Sequence, residues 1–280
     1  MVNKINQSSI INRQLRVVFF GSSKYVLPVI EALNKSFDLF LVVTTENIPT
    51  DPVVNFCRQD SINCLSVSSL ADDSFIRQIR GQNADLGVVA DFGIIIPNNI
   101  LEAFPKGIIN IHPSLLPKYR GPTPVQTAIL NGDTKTGMTI IKIDDEVDHG
   151  PILYQEEADI KPDETAEALL SRLFEKASNS LPKTISNYSK STLNLTDQLH
   201  KNATYTKVFS RQDGYIDLSK LKFKDSLEIR NWKLEIARRI RAYYPWPGIW
   251  SKFEIRNSKS EIIKLLPGSK IQVMRAVKSF

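Results

Sequence analysis

No stretch of this chain comes near the roughly 20 consecutive apolar residues that a bilayer-spanning helix needs, so no membrane partner is expected. The opening MVNKINQSSIINRQLR lacks the apolar core of a secretion signal. It carries Lys4, Arg13 and Arg16, with no acid before Glu31. That bias is compatible with a weak organelle transit peptide, but residues 1–14 are read first as a plain extension ahead of the first strand, and a cytoplasmic location is expected. Cysteine is scarce: Cys57 and Cys64 form a C-x6-C pair with no nearby histidine. That spacing fits no zinc pattern and reads as buried thiols; no metal is expected. The nucleophile elbow G-x-S-x-G, the Walker loop and H-E-x-x-H are all missing, which removes three routes to activated nucleophiles or bound phosphate. After the first apolar run, GSSKYV lacks the G-x-G-x-x-G that lets a backbone approach a pyrophosphate, so dinucleotide binding is not expected.

What is present is an ordinary globular composition, 42% hydrophobic and 24% charged, over 280 residues. The charge is uneven. Residues 1–186 hold 17 Lys/Arg against 22 Asp/Glu, a net of −5, whereas residues 187–280 hold 19 against 8, a net of +11. Such an asymmetry suggests a catalytic part joined to a part that meets a polyanion.

The runs at 15–20 and 38–45 flank a helical stripe of Tyr25, Val26, Val29, Ile30 and Leu33, the opening of a β-α-β unit. Helices are predicted at 51–60 and 72–81, and strands at 86–90, 107–112 and 138–143. Strands apolar on both faces suit a sheet covered by helices on each side. The fold class is therefore α/β, an open, doubly wound, mostly parallel sheet. A long helix is predicted over 163–181, and 186–203 is polar and weakly patterned, like a linker. A second helix is predicted over 226–243, capped by Asp225, with Ile229, Trp232, Ile236, Ile240 and Tyr243 on its buried face and Arg230, Lys233, Arg238, Arg239 and Arg241 elsewhere. Short β-rich runs at 249–255, 261–266 and 271–277 suggest a small barrel. The expected domain order is a catalytic domain at 15–188, a linker at 189–203 and a basic, OB-like C-terminal domain at 204–280.

Ligands of open α/β sheets sit outside the carboxyl ends of the strands. The strand 107–112 delivers Asn110 and His112 there, on one side by period-two alternation. An amide that can donate to an oxyanion, beside an imidazole that moves protons near neutral pH, suits acyl transfer through a tetrahedral intermediate. The same two residues could also merely satisfy a turn. DDEVDHG (144–150) offers a carboxylate. It is a poor calcium loop, because with Asp144 first the sixth position is His149 and the twelfth Gln155. Asp148 is the acid expected to face inward, and His149 reads as a surface turn residue.

Asn110-Ile-His112-Pro-Ser-Leu-Leu-Pro117, followed by Asp148-His-Gly150, resembles the folate-dependent formyltransferases. The opening VVFFGSSKYVLPVIEAL and ADFGIIIP (90–97) resemble the same family. YRGPTPVQTAILNGDTKTGMTI (119–140), ATYTKVFSRQDGYID (203–217) and IRAYYPWPGIW (240–250) are similar to the branch that acts on methionyl-tRNA. The resemblance implies Asn110, His112 and Asp148 as catalytic residues. It implies Ser114, Leu115, Leu116, Pro117, Phe92, Gly93 and Ile95 at the folate, and 10-formyltetrahydrofolate as co-substrate without a metal. The partner it implies is initiator methionyl-tRNA, with Arg120, Gly121, Gln126, Arg238, Arg239 and Arg241 as candidate contacts, and the enzyme is expected to be a monomer. Two departures bear on the tRNA: ENIPTDPVVN, after the second strand, is shorter than the basic loop of the family and has no Lys or Arg, and the last strands of the barrel lack counterparts. Phe92 and Asp91 also stand where the family more often has Tyr and a small residue. Two other readings stand beside this one: formyl transfer to an amino-sugar nucleotide, and a non-catalytic RNA-binding protein.

Overall fold

Arg16–Phe20 (β1) is buried from Val17 onward, because the strand is apolar on both faces and must be covered on both. The computed structural model describes residues 14–45, 50–71, 73–218, 225–255 and 259–268. The extension ahead of residue 14 and the run at 271–277 lie outside the described residues. After Gly21 a short 3-10 turn, capped by the Ser23 hydroxyl accepting from the Tyr25 amide, leads into Leu27–Ser36 (α1). α1 buries Val29, Ile30 and Leu33, the helical stripe read from the sequence. Asp38–Thr44 (β2) then lies parallel to β1.

Pro52–Gln59 (α2) starts at Asp51, whose carboxylate accepts from the Val54 amide at 2.8 Å and so satisfies an otherwise orphan helix donor. Cys64–Ser66 (β3) extends the sheet beyond β2. Asp73–Gly81 (α3) precedes Leu86–Ala90 (β4), which returns to pair with β1 on its other side. Asn98–Leu101 (α4) and Ile108–His112 (β5) follow, with β5 parallel to β4. Pro124–Asn131 (α5) ends at Gly132, whose φ of +74° is the left-handed cap that glycine adopts without a Cβ penalty. Lys135–Lys142 (β6) and Ile152–Asp159 (β7) complete a seven-stranded sheet in the order β3-β2-β1-β4-β5-β6-β7. The sheet is mostly parallel, as expected, but β6 runs antiparallel to β5.

Ala166–Ser189 (α6) continues past the expected end at residue 181, straight through Pro182. Ser226–Tyr243 (α7) has the predicted bounds, with the Asp225 carboxylate accepting from the Leu227 and Glu228 amides. Of its expected buried face, Ile236, Ile240 and Tyr243 are buried, while Ile229 and Trp232 are half-buried. Ile249–Ile255 (β8) and Lys259–Leu265 (β9) form a two-stranded antiparallel hairpin. Of the expected barrel, the described residues of this part show the hairpin and a parallel bridge from Tyr215 to Trp250.

The chain groups into two compact units that interleave along the sequence. One comprises the chain up to His112, Met138–Gln155 and Phe174–Gln198; the other comprises Pro113–Gly137, Glu156–Leu173 and the chain from Leu199 on. In the first, Val18, Phe20, Val43, Ile79 and Ile108 lie in one apolar cluster. In the second, Val125, Leu169, Leu173, Ile236 and Ile240 form another. Among the described residues no helix is long and apolar enough to cross a membrane.

Candidate active site

β5 carries Asn110 and His112 two residues apart, and in a pleated strand that spacing puts both side chains on one face. The strand is fixed by parallel pairing of Asn110 with Val89 and antiparallel pairing of His112 with Thr139. Because β6 is antiparallel, it leaves the His112 end of β5 and passes Ile109 at Lys142. The turn after β6 must therefore fold back to bring a side chain over Asn110 and His112. Two residues make that reversal possible. Asp148 adopts φ +51°, in the left-handed region. Gly150 presses so closely on the chain that a Cβ there would lie 1.8 Å from the Lys142 carbonyl oxygen.

The reversal brings Asp148 home. Its Oδ1 accepts from Asn110 Nδ2 at 3.1 Å, and its Oδ2 lies 3.5 Å from His112 Nδ1. A carboxylate can only accept, so it fixes which end of the Asn110 amide faces it. His112 is 4% exposed, and the Asp148 side chain 11%. The structure thus gathers an amide, an imidazole and a carboxylate from positions 110, 112 and 148 into one sheltered cluster. With a carboxylate facing Nδ1, the proton of a neutral imidazole is held there.

The same turn is braced by Gln198. Its Nε2 donates to the carbonyl oxygens of Asp148 at 2.9 Å and Gly150 at 2.8 Å. No sequence signal singles this residue out; it lies in the segment read as a linker. On the outer side of the turn, His149 Nδ1 lies 2.7 Å from Asp144 Oδ2, which agrees with its reading as a surface turn residue.

Beside this cluster, at the end of β4, Asp91 has φ +47° and its carbonyl accepts from the Ser22 amide. Asp91 keeps an exposed surface yet is ringed by protein; that desolvation raises its carboxyl above the ordinary range, against the pull of a hydrogen bond from Ser23. Phe92 is half-buried, Gly93 faces open space, and Ile95 is 82% exposed. This open, apolar strip suits one face of a flat ring system.

The other predicted contacts belong to the second unit. Ser114 is fully buried, and its hydroxyl donates to the Lys118 carbonyl at 2.6 Å, closing its own turn. Leu116 is buried, while Leu115 and Pro117 are half-buried. Arg120 does not reach outward: it is 2% exposed, its guanidinium lies 2.8 Å from His200 Nδ1, and it faces the Tyr205 ring. Gly121, with φ +101°, sits against Thr206, and Gln126 is half-buried. Arg238 lies against Gly132. Arg239 donates to the carbonyls of Asp213 and Tyr215, and Arg241 to that of Glu164. Burial lowers the proton affinity of the Arg241 guanidinium. Two of the arginines expected at a polyanion, Arg239 and Arg241, thus bond to carbonyls of their own chain, while Arg238 is exposed.

A family model described as formyl transferase matches residues 15–185. A methionyl-tRNA formyltransferase of Roseiflexus sp. (strain RS-1) is 36% identical over 244 residues, 84% of this chain and 72% of that protein. One from Thermus thermophilus is 33% identical over 262 residues, 90% of this chain and 80% of that one. Among solved structures, a sugar 3N-formyl transferase crystallised with dTDP and 5-N-formyl-THF superposes with a TM-score of 0.62 at 25% identity, covering 85% of this chain and 84% of its own.

Proposed function

The chain belongs to the formyl transferase family, in its methionyl-tRNA formyltransferase branch, and from that membership we propose that it transfers the formyl group of 10-formyltetrahydrofolate to the α-amine of methionine on initiator tRNA, in the cytoplasm, as a step of translation initiation. The observation that carries the proposal is the convergence of Asn110, His112 and Asp148 on one face of β5.

The folate supplies the formyl group, and its N10 takes up a proton as the C–N10 bond breaks and the new C–N bond to the amine forms. The chain's residues do the rest. Asn110, oriented by one N–H on Asp148, directs its other N–H to the formyl oxygen as negative charge develops there. Such a donor contributes on the order of 3 kcal/mol to the transition state. His112 presents Nε2, protonated when needed, to the leaving nitrogen. Asp148 accepts the proton released by the amine, directly or through a water, and returns it through His112. General acid–base assistance of this kind contributes roughly 10²–10⁴ in rate.

For the folate, the fit is the apolar strip of Phe92, Gly93 and Ile95. Leu115 and Pro117 are further candidates, while Ser114 and Leu116 shape the loop that carries them. The structure of a sugar 3N-formyl transferase determined in the presence of 5-N-formyl-THF supports this reading. For the tRNA, we place the phosphate contacts on exposed basic side chains of the second unit, Arg230 and Lys233 on α7 among them, because Arg120, Arg239 and Arg241 are engaged within the chain. We read the β8–β9 hairpin as part of a small OB-like barrel serving that surface, and the enzyme as a monomer.

One specific observation favours a second reading, an amino-sugar nucleotide as acceptor: residues 46–55 hold no Lys or Arg. The deciding assay gives the purified protein 10-formyltetrahydrofolate with methionyl initiator tRNA, methionyl elongator tRNA or a sugar-nucleotide amine. N-formylmethionine on initiator tRNA alone is expected. Turnover on the sugar amine alone would establish the second reading. RNA binding without any formyl transfer would make the chain a non-catalytic RNA-binding protein.

A further inference from the structure

We propose that Gln198 is a positioning residue of the active site, acting through the backbone of the turn that presents Asp148; the proposal rests on the formyl-transfer reading above. Asp148 reaches Asn110 and His112 only because the chain reverses between Lys142 and Ile152. That reversal carries a residue at positive φ and a glycine with no room for a side chain. Local contacts hold part of this path, the Lys142 amide donating to the Pro151 carbonyl at 3.0 Å and His149 meeting Asp144; a further restraint comes from 50 residues away.

Gln198 is 4% exposed. A primary amide has two N–H groups on one nitrogen, and here that nitrogen reaches two carbonyl oxygens, those of Asp148 and Gly150, on either side of His149. The two bonds pin the last part of the turn, where it carries Asp148. Gln198 is itself placed by register. Thr196 exchanges both backbone hydrogen bonds with Ile152 at the start of β7, at 2.8 and 3.0 Å, and two residues on Gln198 meets the turn that leads into that strand. The segment after α6 thus works as a strap along the start of β7, with one amide closing over the catalytic turn. Glutamine meets the chemical demand. Glutamate would set a carboxylate against two carbonyl oxygens, methionine has no donor, and asparagine is one methylene too short to span both partners.

The test compares wild type, Q198M, D148N and Q198M/D148N in formyl transfer, with thermal melts to confirm folding. Q198M should lose roughly 10- to 100-fold in kcat, the scale of a small misplacement of a catalytic group. Its KM for 10-formyltetrahydrofolate should stay within about twofold, because the lost interaction is felt in the transition state. In the D148N background the same change should cost less than about threefold, since the residue it positions has already been disabled. A wild-type kcat in Q198M, or an equal loss in both backgrounds, overturns the proposal. If Q198M does not fold, Q198N gives the same comparison with a milder perturbation. A readout independent of turnover is the side-chain amide NMR resonance of Asn110, which shifts in Q198M as the Asp148 carboxylate moves away. Unchanged resonances in a folded Q198M overturn the inference whether or not formyl transfer occurs. An inactive wild type with shifted resonances in Q198M would instead sink the formyl-transfer reading alone.

Discussion

Asn110 donates its side-chain amide to the carboxylate of Asp148 across 3.1 Å, although 38 positions of chain separate them. The bond orients both partners: it fixes which end of the Asn110 amide faces the carboxylate, and it leaves the second carboxylate oxygen beside the His112 imidazole. Replacing Asn110 by Ala should therefore cost more than an oxyanion donor. We expect kcat to fall by at least about 10²–10³, the scale of losing one such donor, with little change in folate affinity measured by fluorescence quenching. A variant within a few-fold of wild type would remove Asn110 from the mechanism.

Gly150 sets how tightly the catalytic turn can close. A Cβ at this position would lie 1.8 Å from a backbone oxygen, which cannot swing aside as a flexible side chain could. The Gly150→Ala variant should lose on the order of 1–3 kcal/mol, the range for overpacking a filled site. Its activity at a temperature where it remains folded should fall further still, because the displaced backbone carries Asp148. Urea titrations paired with kcat values test this; normal activity in a destabilised variant would separate the turn from the chemistry.

Arg120 should behave as a structural residue. It is buried, against the Tyr205 ring and beside a nitrogen of His200. Arg120→Met is expected to reduce stability by roughly 1.5–3 kcal/mol, the range for a hydrogen bond to a charged group. The salt dependence of tRNA binding should keep its wild-type slope, because no phosphate contact is lost. A shallower slope at unchanged stability would return Arg120 to the tRNA surface.

Asp213 gives a pH signature. The backbone amide of Ser210, the Lys207 ammonium and the Ser210 hydroxyl hold its carboxyl far below the ordinary range. A depressed folded value means the group contributes stability above the unfolded carboxylate value of about 3.9, and that this contribution is lost as pH falls from there toward the folded value. The stability difference between wild type and Asp213→Asn should be constant from about pH 7 to about pH 5 and shrink as pH approaches about 2. Urea midpoints across that range test it, and a difference that grows on acidification would contradict the assignment.

Much of this is legible in the sequence, for identifiable reasons. α7 has the bounds read from it because Asp225 caps it and its stripe is regular. β5 is visible because it is apolar, and the period of two puts Asn110 and His112 together. The sequence ends α6 at residue 181 because proline disfavours helix in the residue before it. In the fold, burial of Leu181 and Ile185 outweighs that preference. β7 escapes a reading by apolar runs because it is half exposed at the sheet edge and has no continuous run. Arg239 and Arg241 read as free charges because a sequence does not show that backbone carbonyls of residues 164, 213 and 215 wait nearby. Gln198 is unreadable for the same reason: its partners are carbonyls, which every residue has.

The most direct test of the catalytic assignment is a single-turnover measurement of formyl transfer by Asp148→Asn against wild type, at saturating 10-formyltetrahydrofolate and methionyl initiator tRNA. This near-isosteric change keeps the shape of the turn but removes the charge and the proton acceptor. A rate reduced by at least about 10², with folate still bound, is the expected result. A wild-type rate would show that the amide, imidazole and carboxylate gathered on β5 are not the group that moves the formyl unit.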